Sequence, residues 1–566
     1  MGIIMKERDK YMRKKFLALA VCCAVAFTGC SQQAGKKDDG KTDSKTENKV
    51  SDIVTVFDET AEGLEEGEAA LVKSEANNPI AGGTIKTNDL VYTCDPSVLV
   101  DGDTVYLYAG HDEATDDEVE KKAYSIPEYL CYSTKDLKEW KEEGTVMLAD
   151  IGEIGWASDS TSGWAAQVAK HYDKKAKKDK YYLYFCTWQY GTGKQSIGVA
   201  VAQKPTGPFK DIGKPLINGE ITEPQNSNWD DIDPTVWIEE DENGEEHRYL
   251  GWGNSRFYSC ELNEDMISVK DLNGDGKITY GSSAAKGDII PRAVSNFTEA
   301  PWFYRRQDEN GKYYGDYYLF HASGWYENMA YSTTNDIMNG KYKFGGTLMP
   351  PTATSNTNHM AVFDFQGKTY FIYHNGSLPG GNGYRRSACI TELHFNDDGT
   401  IKEIPETATG LNGVVSSIYD ASGAPLEHET FINSSSESEY PYTDIKVGTG
   451  LNAGKSDAKW VITDGKADAS KASYVSIQSE NKPGLYFTVN DNDTITLAQD
   501  TDATEETAKK QTFRTVKGLN DEKNVSFESV SSPGKYLAIK DGKLCVSDGA
   551  DKKAATFAVQ PMEESK

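Results

Sequence analysis

Positive charge is scarce in this chain. Among its 566 residues, 60 are Lys or Arg and 88 are Asp or Glu, for a formal net charge of −28. A surface that negative repels phosphate backbones, which argues against nucleic acid as a partner and is compatible with neutral polysaccharide. Cysteine is sparse too. Nine are present: Cys22, Cys23 and Cys30 fall in the first 30 residues, while Cys94, Cys131, Cys186, Cys260, Cys389 and Cys545 are scattered without CxxC spacing. Most of these six sit in strand-like runs and read as buried thiols, so neither a metal cage nor a disulfide framework is expected. Long apolar runs are missing as well, since Phe16 to Phe27 is too short for a permanent membrane-spanning helix. What the chain does have is hydrophobic content of 38%, enough for real cores, and 11% aromatics with 32 Tyr and 10 Trp. That suits stacking on ring-shaped ligands and equally suits any β-rich fold.

Lys6, Arg8, Lys10, Arg13, Lys14 and Lys15 precede the short apolar run, which ends Phe27-Thr28-Gly29-Cys30-Ser31. This resembles a bacterial lipobox, with Phe where Leu is usual, and implies lipidation at Cys30 and an extracytoplasmic, membrane-anchored protein. Residues 1–30 therefore read as a lipoprotein signal peptide, and the polar stretch 31–75 as a solvated tether. Residues 76–412 are dense in aromatic, alternating segments broken by Gly, Asp and Asn. Residues 413–440, which include FINSSSESEY, read as a linker, and 441–566 as a smaller β-rich module.

The central region repeats. Each unit has a strand led by a small or polar residue, a short turn, and an aromatic strand. The units begin at Asp95 (DPSVLVDGDTVYLYAG), Ala165 (AAQVAKHY, then KYYLYFCTW), Asp233 (DPTVWIEEDENGEEHRYLGWG), Glu299 (EAPWFYRR, then DYYLFHASG) and His359 (HMAVFDFQGKTYFIYHNG). Spacings of roughly 60–70 residues accommodate one four-stranded blade with loops, which predicts a five-bladed β-propeller. In a propeller the leading positions gather around the central channel. Asp95, Asp233 and Glu299 would then converge, with His359, on one shallow funnel. Asp before Pro is a common turn starter, but that explanation does not cover three acids in one register.

Glycosidic cleavage needs one carboxylic acid to protonate the leaving oxygen and one carboxylate to activate water, and a third acid can raise the donor's pKa and orient it. The segments DPSVLVDGD, DDIDPTVWI and FTEAPWFYRR resemble the three catalytic motifs of glycoside hydrolase family 43, and SNTNHMAVFDFQGKTYFIYHNG with GYRRSACITELHFNDDGTIK resembles its fifth-blade signature. The resemblance implies Asp95 as general base, Glu299 as general acid and Asp233 as pKa modulator. It also implies inversion of configuration. A His at position 359 would hold a structural calcium ion largely through waters, the competing reading being a hydrogen-bonded channel histidine. No organic cofactor is expected. Trp164 and Trp325 are placed to pack on a sugar face, and Asn358 and Arg385 to donate to sugar hydroxyls. Arg385 and Arg386 lie on opposite faces of one strand, and sequence does not say which faces the pocket.

Within that family the motifs most resemble exo-acting arabinofuranosidases that strip α-L-arabinofuranosyl side chains from arabinoxylan. β-Xylosidase activity on xylo-oligosaccharides is the close alternative. A non-catalytic, glycan-capturing surface lipoprotein is a second class of reading, and a phosphorylase would have only Arg385 and Arg386 for phosphate. DLNGDGKITYGS places Asp271, Asn273, Asp275 and Gly276 at calcium-loop spacing, but Ser282 stands where the terminal Glu is needed.

Near the C-terminus, SYVSIQSENKPGLYFTVNDNDTITL echoes VSFESVSSPGKYLAIKDGKLCVSD, each with a Pro-Gly turn and a closing Thr-Phe. The echo predicts a β-trefoil-like domain that resembles the arabinose-binding module of arabinofuranosidases, acting as a carbohydrate-binding or accessory unit. Its third lobe, between Asp444 and Lys471, is poorly matched. A monomer is the default.

Overall fold

The computed structural model describes residues 53–81, 90–222, 227–429, 445–451 and 454–562, all within one compact unit. The signal peptide, Cys30 and the FINSSSESEY stretch lie outside the described residues. Among those described, no helix is long and apolar enough to cross a membrane.

Five antiparallel meanders follow one another along the chain. Blade one is Thr93–Asp101, Thr104–His111, Glu128–Thr134 and Lys141–Leu148, and blade two is Gln167–Asp173, Lys178–Trp188, Gln195–Ala202 and Lys210–Asp211. Blade three is Thr235–Glu240, Glu246–Trp252, Phe257–Glu261 and Ile290–Arg292. Blade four is Trp302–Gln307, Tyr313–Ser323, Asn328–Thr334 and Lys343–Met349. Blade five has three strands, Ala361–Phe365, Lys368–Asn375 and Ser387–Glu392. Its open edge is closed from the other end of the domain: Ile80 N–H donates to Ala388 O, and Asn78 brackets Ile390 through both side-chain atoms. The five-bladed propeller expected from the repeat is thus present, with a segment preceding blade one sealing blade five. The strands are apolar on both faces because each blade packs between two neighbours, with Tyr108, Trp252, Phe303 and Phe320 fully buried between them.

The trefoil expectation for the C-terminal region is overturned. Its ladder closes as one barrel of ten strands, in the order Ile445–Gly448, Ile495–Gln499, Leu485–Val489, Tyr474–Ser479, Trp460–Asp464, Ser416–Asp420, Phe557–Pro561, Val525–Ser529, Tyr536–Lys540 and Lys543–Ser547. Gly448 pairing with Lys543 completes the ring. Glu427–His428 and Phe513–Lys517 pair outside it. The physical reason is Ser416–Asp420, which sits within the stretch read as linker. It pairs with both Trp460 and Phe557–Pro561, joining the two echoing halves without a third lobe. The core is Trp460, Phe487, Phe513, Phe527 and Phe557 with aliphatic neighbours.

The stretch read as tether is described from residue 53, and there it lies along the barrel: Val56 N–H donates to Val559 O, Ala69 N–H to Thr515 O and Ser74 N–H to Ile462 O. Barrel and propeller also meet at the loop between the last two strands of blade five. Gln499 Nε2 donates to the carbonyls of Gly376 at 2.6 Å and Gly381 at 2.7 Å, and Gly380 N–H donates to Asp500 O. Gly484 packs so closely that a Cβ there would meet Ser377 at 2.7 Å.

Candidate active site

Asp95 and Asp233 each open the inner strand of a blade, and both adopt left-handed backbone conformations, with φ of 47° and 59°. For non-glycine residues that geometry is uncommon and occurs where surroundings over-determine it. At Asp95 a register shift between Cys94 and Ser97 marks a bulge that turns the carboxylate out of the ladder. Its backbone N–H donates to His374 Nδ1 at 3.1 Å, while His374 Nε2 donates to Thr357 O. These bonds assign the proton to Nε2, and burial pushes the His374 pKa down to about 3, so the ring is neutral.

Arg386, from the strand edge of blade five, reaches both oxygens of Asp95 and also holds Asp112 through Nε at 2.9 Å. Burial alone would raise the Asp95 carboxyl. The Arg386 charge outweighs burial and holds it below the ordinary carboxylate range.

Asp233 is pushed the other way. Burial and then the charges of Glu299 and Asp95 raise its carboxyl well above the ordinary value, although Ala300 N–H donates to its Oδ2 at 2.9 Å. Glu299 stands directly before that amide. Its backbone is pinned by Ala322 N–H, and its Oε2 accepts from the Asn254 amide. Glu327, which sequence reasoning did not single out, is buried in the turn following the second strand of blade four, and burial and then the charge of Glu299 push its carboxyl well above the ordinary value. The three predicted acids are therefore electrostatically linked in one pocket.

The other predicted residues divide. Asn358 is buried beside Glu327, its N–H donating to Glu327 Oε2 at 2.8 Å. Trp164 packs edge-on against Tyr124 and Trp188. Trp325 is 57% exposed at the turn that carries Glu327. Arg385 points away from Asp95, bonding Ala114 O and Asp116. Arg386 is the one that faces the pocket, with Tyr124 against its guanidinium. His374, Asp112 and Asn254 carried no sequence signal beyond their place at strand ends.

His359 is buried, its Nδ1 3.9 Å from Asp95 Oδ1, and burial lowers its pKa to about 4. It offers one neutral nitrogen beside the Arg386 charge, whereas calcium prefers oxygen ligands; calcium there would have to be held through water. Two other groups bring three ligand atoms within 4.8 Å of one another: His111, Glu113 and Glu128, and Asp241, Glu245 and His247. In the 271–282 loop, Asp271 instead accepts from its own backbone at Gly274 and Gly276.

The chain is similar to several known proteins. The chain is 29% identical over 301 residues to a β-D-galactofuranosidase of Aspergillus niger, covering 50% of this chain and 76% of that protein. It is 28% identical over 352 residues to xylosidase/arabinosidase 43A of Humicola insolens, covering 56% and 98%. An arabinoxylan arabinofuranohydrolase of Paenibacillus polymyxa is 27% identical over 370 residues, covering 59% and 54%. Residues 428–559 match the α-L-arabinofuranosidase B (ABFB) domain. Residues 91–401, more than half of the chain, match the glycosyl hydrolases of family 43, and the chain belongs to that family as a glycoside hydrolase.

Proposed function

We propose that this enzyme removes α-L-arabinofuranosyl side chains from arabinoxylan, acting on terminal residues with inversion at the anomeric carbon. Asp95 is the general base, Glu299 the general acid, and Asp233 the group that orients Glu299 and sets its proton affinity. The observation that carries this reading is the placing of the carboxyls in unlike surroundings: Asp95 in the fork of Arg386, and Asp233 on the amide that follows Glu299. Arg386 reaches both Asp95 oxygens and lowers its proton affinity, while burial and the neighbouring Glu299 and Asp95 charges raise that of Asp233. A base ready to take a proton and acids that retain one are the division of labour that glycosidic hydrolysis needs.

In the reaction the Glu299 proton passes to the glycosidic oxygen as the bond to the anomeric carbon breaks. Water adds to that carbon and yields its proton to Asp95. His374, fixed as an Nε2–H tautomer, holds the Asp95 backbone in place and transfers nothing. No step is routed through a metal.

The arabinofuranoside assignment is supported by the ABFB match and by the name of the Paenibacillus relative. A β-xylosidase is the second reading, supported by relatives named as xylosidase/arabinosidase and β-xylosidase. We also propose that Cys30 is lipidated and that the enzyme works outside the cytoplasm. Loss of the membrane-bound fraction in Cys30→Ser would be expected, and its retention would remove the anchor.

The deciding experiment is sugar release from arabinoxylan and from linear xylo-oligosaccharides by wild type and Glu299→Gln. Arabinose from wild type alone is the expected result. Xylose instead would keep the chemistry and replace the substrate, and equal release by both proteins would remove Glu299 as the acid.

A further inference from the structure

Arg386 is buried, and every N–H of its guanidinium has an acceptor. Nη1 donates to Asp95 Oδ1 and to Thr357 Oγ1, and Nη2 to Asp95 Oδ2 and to Asp112 Oδ1. Nε donates to Asp112 Oδ2 at 2.9 Å. These are five bonds for the five N–H groups that an arginine carries. The guanidinium has no donor to spare for a sugar hydroxyl or an anion, so its work is done on the two carboxylates.

Those carboxylates are placed for different tasks. The Asp112 side chain is 0% exposed, and it accepts a further bond from the Arg386 backbone N–H at 2.9 Å. Its own N–H donates to Tyr92 O, one residue before the strand that carries Asp95. Asp112 is therefore sealed from solvent and committed to Arg386. Asp95 accepts one N–H from the fork on each oxygen, which leaves each oxygen a lone pair for water. The Tyr124 ring lies against the guanidinium, its centroid 4.8 Å from Arg386 Cζ. One edge of Arg386 is thus fixed by Asp112 and one face by Tyr124, and the other edge is presented to Asp95. An arginine side chain has many rotamers; a carboxylate that binds both its Nε edge and its backbone N–H selects one of them.

We propose that Asp112 is a positioning residue for the base: by holding the Nε edge of Arg386 it aims the other edge at Asp95, and so sets where the Asp95 carboxylate stands relative to the attacking water. The inference rests on Asp95 being the general base. Asp112 touches neither sugar nor water and transfers no proton. Its effect reaches the reaction only through Arg386, and a small misplacement of a reacting group is enough to slow the chemical step.

The test uses the full chain and compares wild type, Asp112→Asn, Arg386→Lys and the double variant on the oligosaccharide that wild type hydrolyses. In Asp112→Asn an NH2 group replaces one acceptor facing the guanidinium, so an edge contact is lost while size is kept. This variant is expected to lower kcat about 30-fold and to change KM less than about 3-fold, because the base is displaced and no substrate contact is removed. The double variant is expected to stay within about 3-fold of Arg386→Lys alone, because the two side chains act as one unit.

Losses that multiply in the double variant would overturn the proposal, since Asp112 would then act by a route of its own. A lowered melting temperature with kcat unchanged would also overturn it, leaving Asp112 as a tie between blades one and five. So would a raised KM with kcat unchanged, which would make it a substrate contact. Should Asp112→Asn not fold, Asp112→Ser, whose smaller side chain leaves room for water at the Nε edge, is read by the same cycle. Failure of both to fold would assign Asp112 to the fold and overturn the proposal. Asp95→Asn is measured alongside: turnover equal to wild type there removes the base reading itself, whatever Asp112 shows. If wild type releases no sugar, the hydrolase reading fails first, and that outcome is visible before any variant is compared.

Discussion

Arg386 grips Asp95 with both terminal nitrogens, Nη1 to Oδ1 at 3.0 Å and Nη2 to Oδ2 at 3.3 Å, while Nε and Nη2 hold Asp112. One guanidinium thus spans two buried carboxyl groups contributed by blade one and the strand end beside it. This fork is a geometry that a lysine ammonium does not reproduce.

Arg386→Lys is expected to lower kcat/KM by about 100-fold or more, because Asp95 loses its bidentate partner. The sign of the pH effect follows from Asp95 being held below its ordinary value. With Asp95 as the proposed base, hydrolysis needs it ionised and the acid limb of kcat/KM lies at its pKa, so weakening the Arg386 contact is expected to move that limb to higher pH by about one unit. A pH–rate profile of the variant checks both; an unmoved acid limb would detach Asp95 from the base role.

Asp233→Asn is expected to fold normally, since an amide oxygen still accepts from Ala300 N–H. Turnover should fall by about 10²–10⁴-fold, the range set by general acid–base participation. Circular dichroism and kcat on one preparation separate the two effects.

Glu406 and Glu480 sit where barrel and propeller meet, and burial raises each from 4.5 to about 7, against hydrogen bonds from Asn375 and Thr409 that lower them. Both hold protons more tightly in the folded state. Each therefore contributes stability that is fully present below 4.5 and lost as pH rises to about 7, on the order of 3 kcal/mol per group. Denaturant midpoints should fall between pH 5 and pH 8, and Glu406→Gln should flatten part of that slope. An unchanged slope in the variant would place the titration elsewhere.

We propose that the exposed Trp325 ring binds substrate and transition state alike, so Trp325→Ala is expected to raise KM for oligosaccharides by about 5- to 10-fold with kcat nearly unchanged. Initial-rate kinetics on a series of chain lengths measures it.

The propeller was legible because its repeat carries chemistry at a fixed position. An acid, Ala or His leads each unit, with Pro following at Asp95 and Asp233, so alignment of Asp95, Ala165, Asp233, Glu299 and His359 picked out equivalent positions in the five blades. Residues off that register were not legible. Glu327 lies in a hairpin turn, where a Glu ordinarily points to solvent, and nothing in SGWYENMAYS marks it as buried. The choice between Arg385 and Arg386 depended on Asp112, which sits at the end of blade one and far away in sequence. The barrel was misread for a related reason: the echo of two segments was plain, but the strand that joins them, Ser416–Asp420, precedes both and resembles neither.

The amide of Gln499 has a consequence for recombination. Its two bonds to Gly376 and Gly381 anchor the loop that leads directly into Arg386, so the barrel braces the guanidinium facing Asp95 from behind. The two halves are therefore exchangeable only as a matched pair. A barrel grafted from a relative without an amide at this place would strand two glycine carbonyls, and the cost would surface as a looser hold of Arg386 on Asp95 in the other domain.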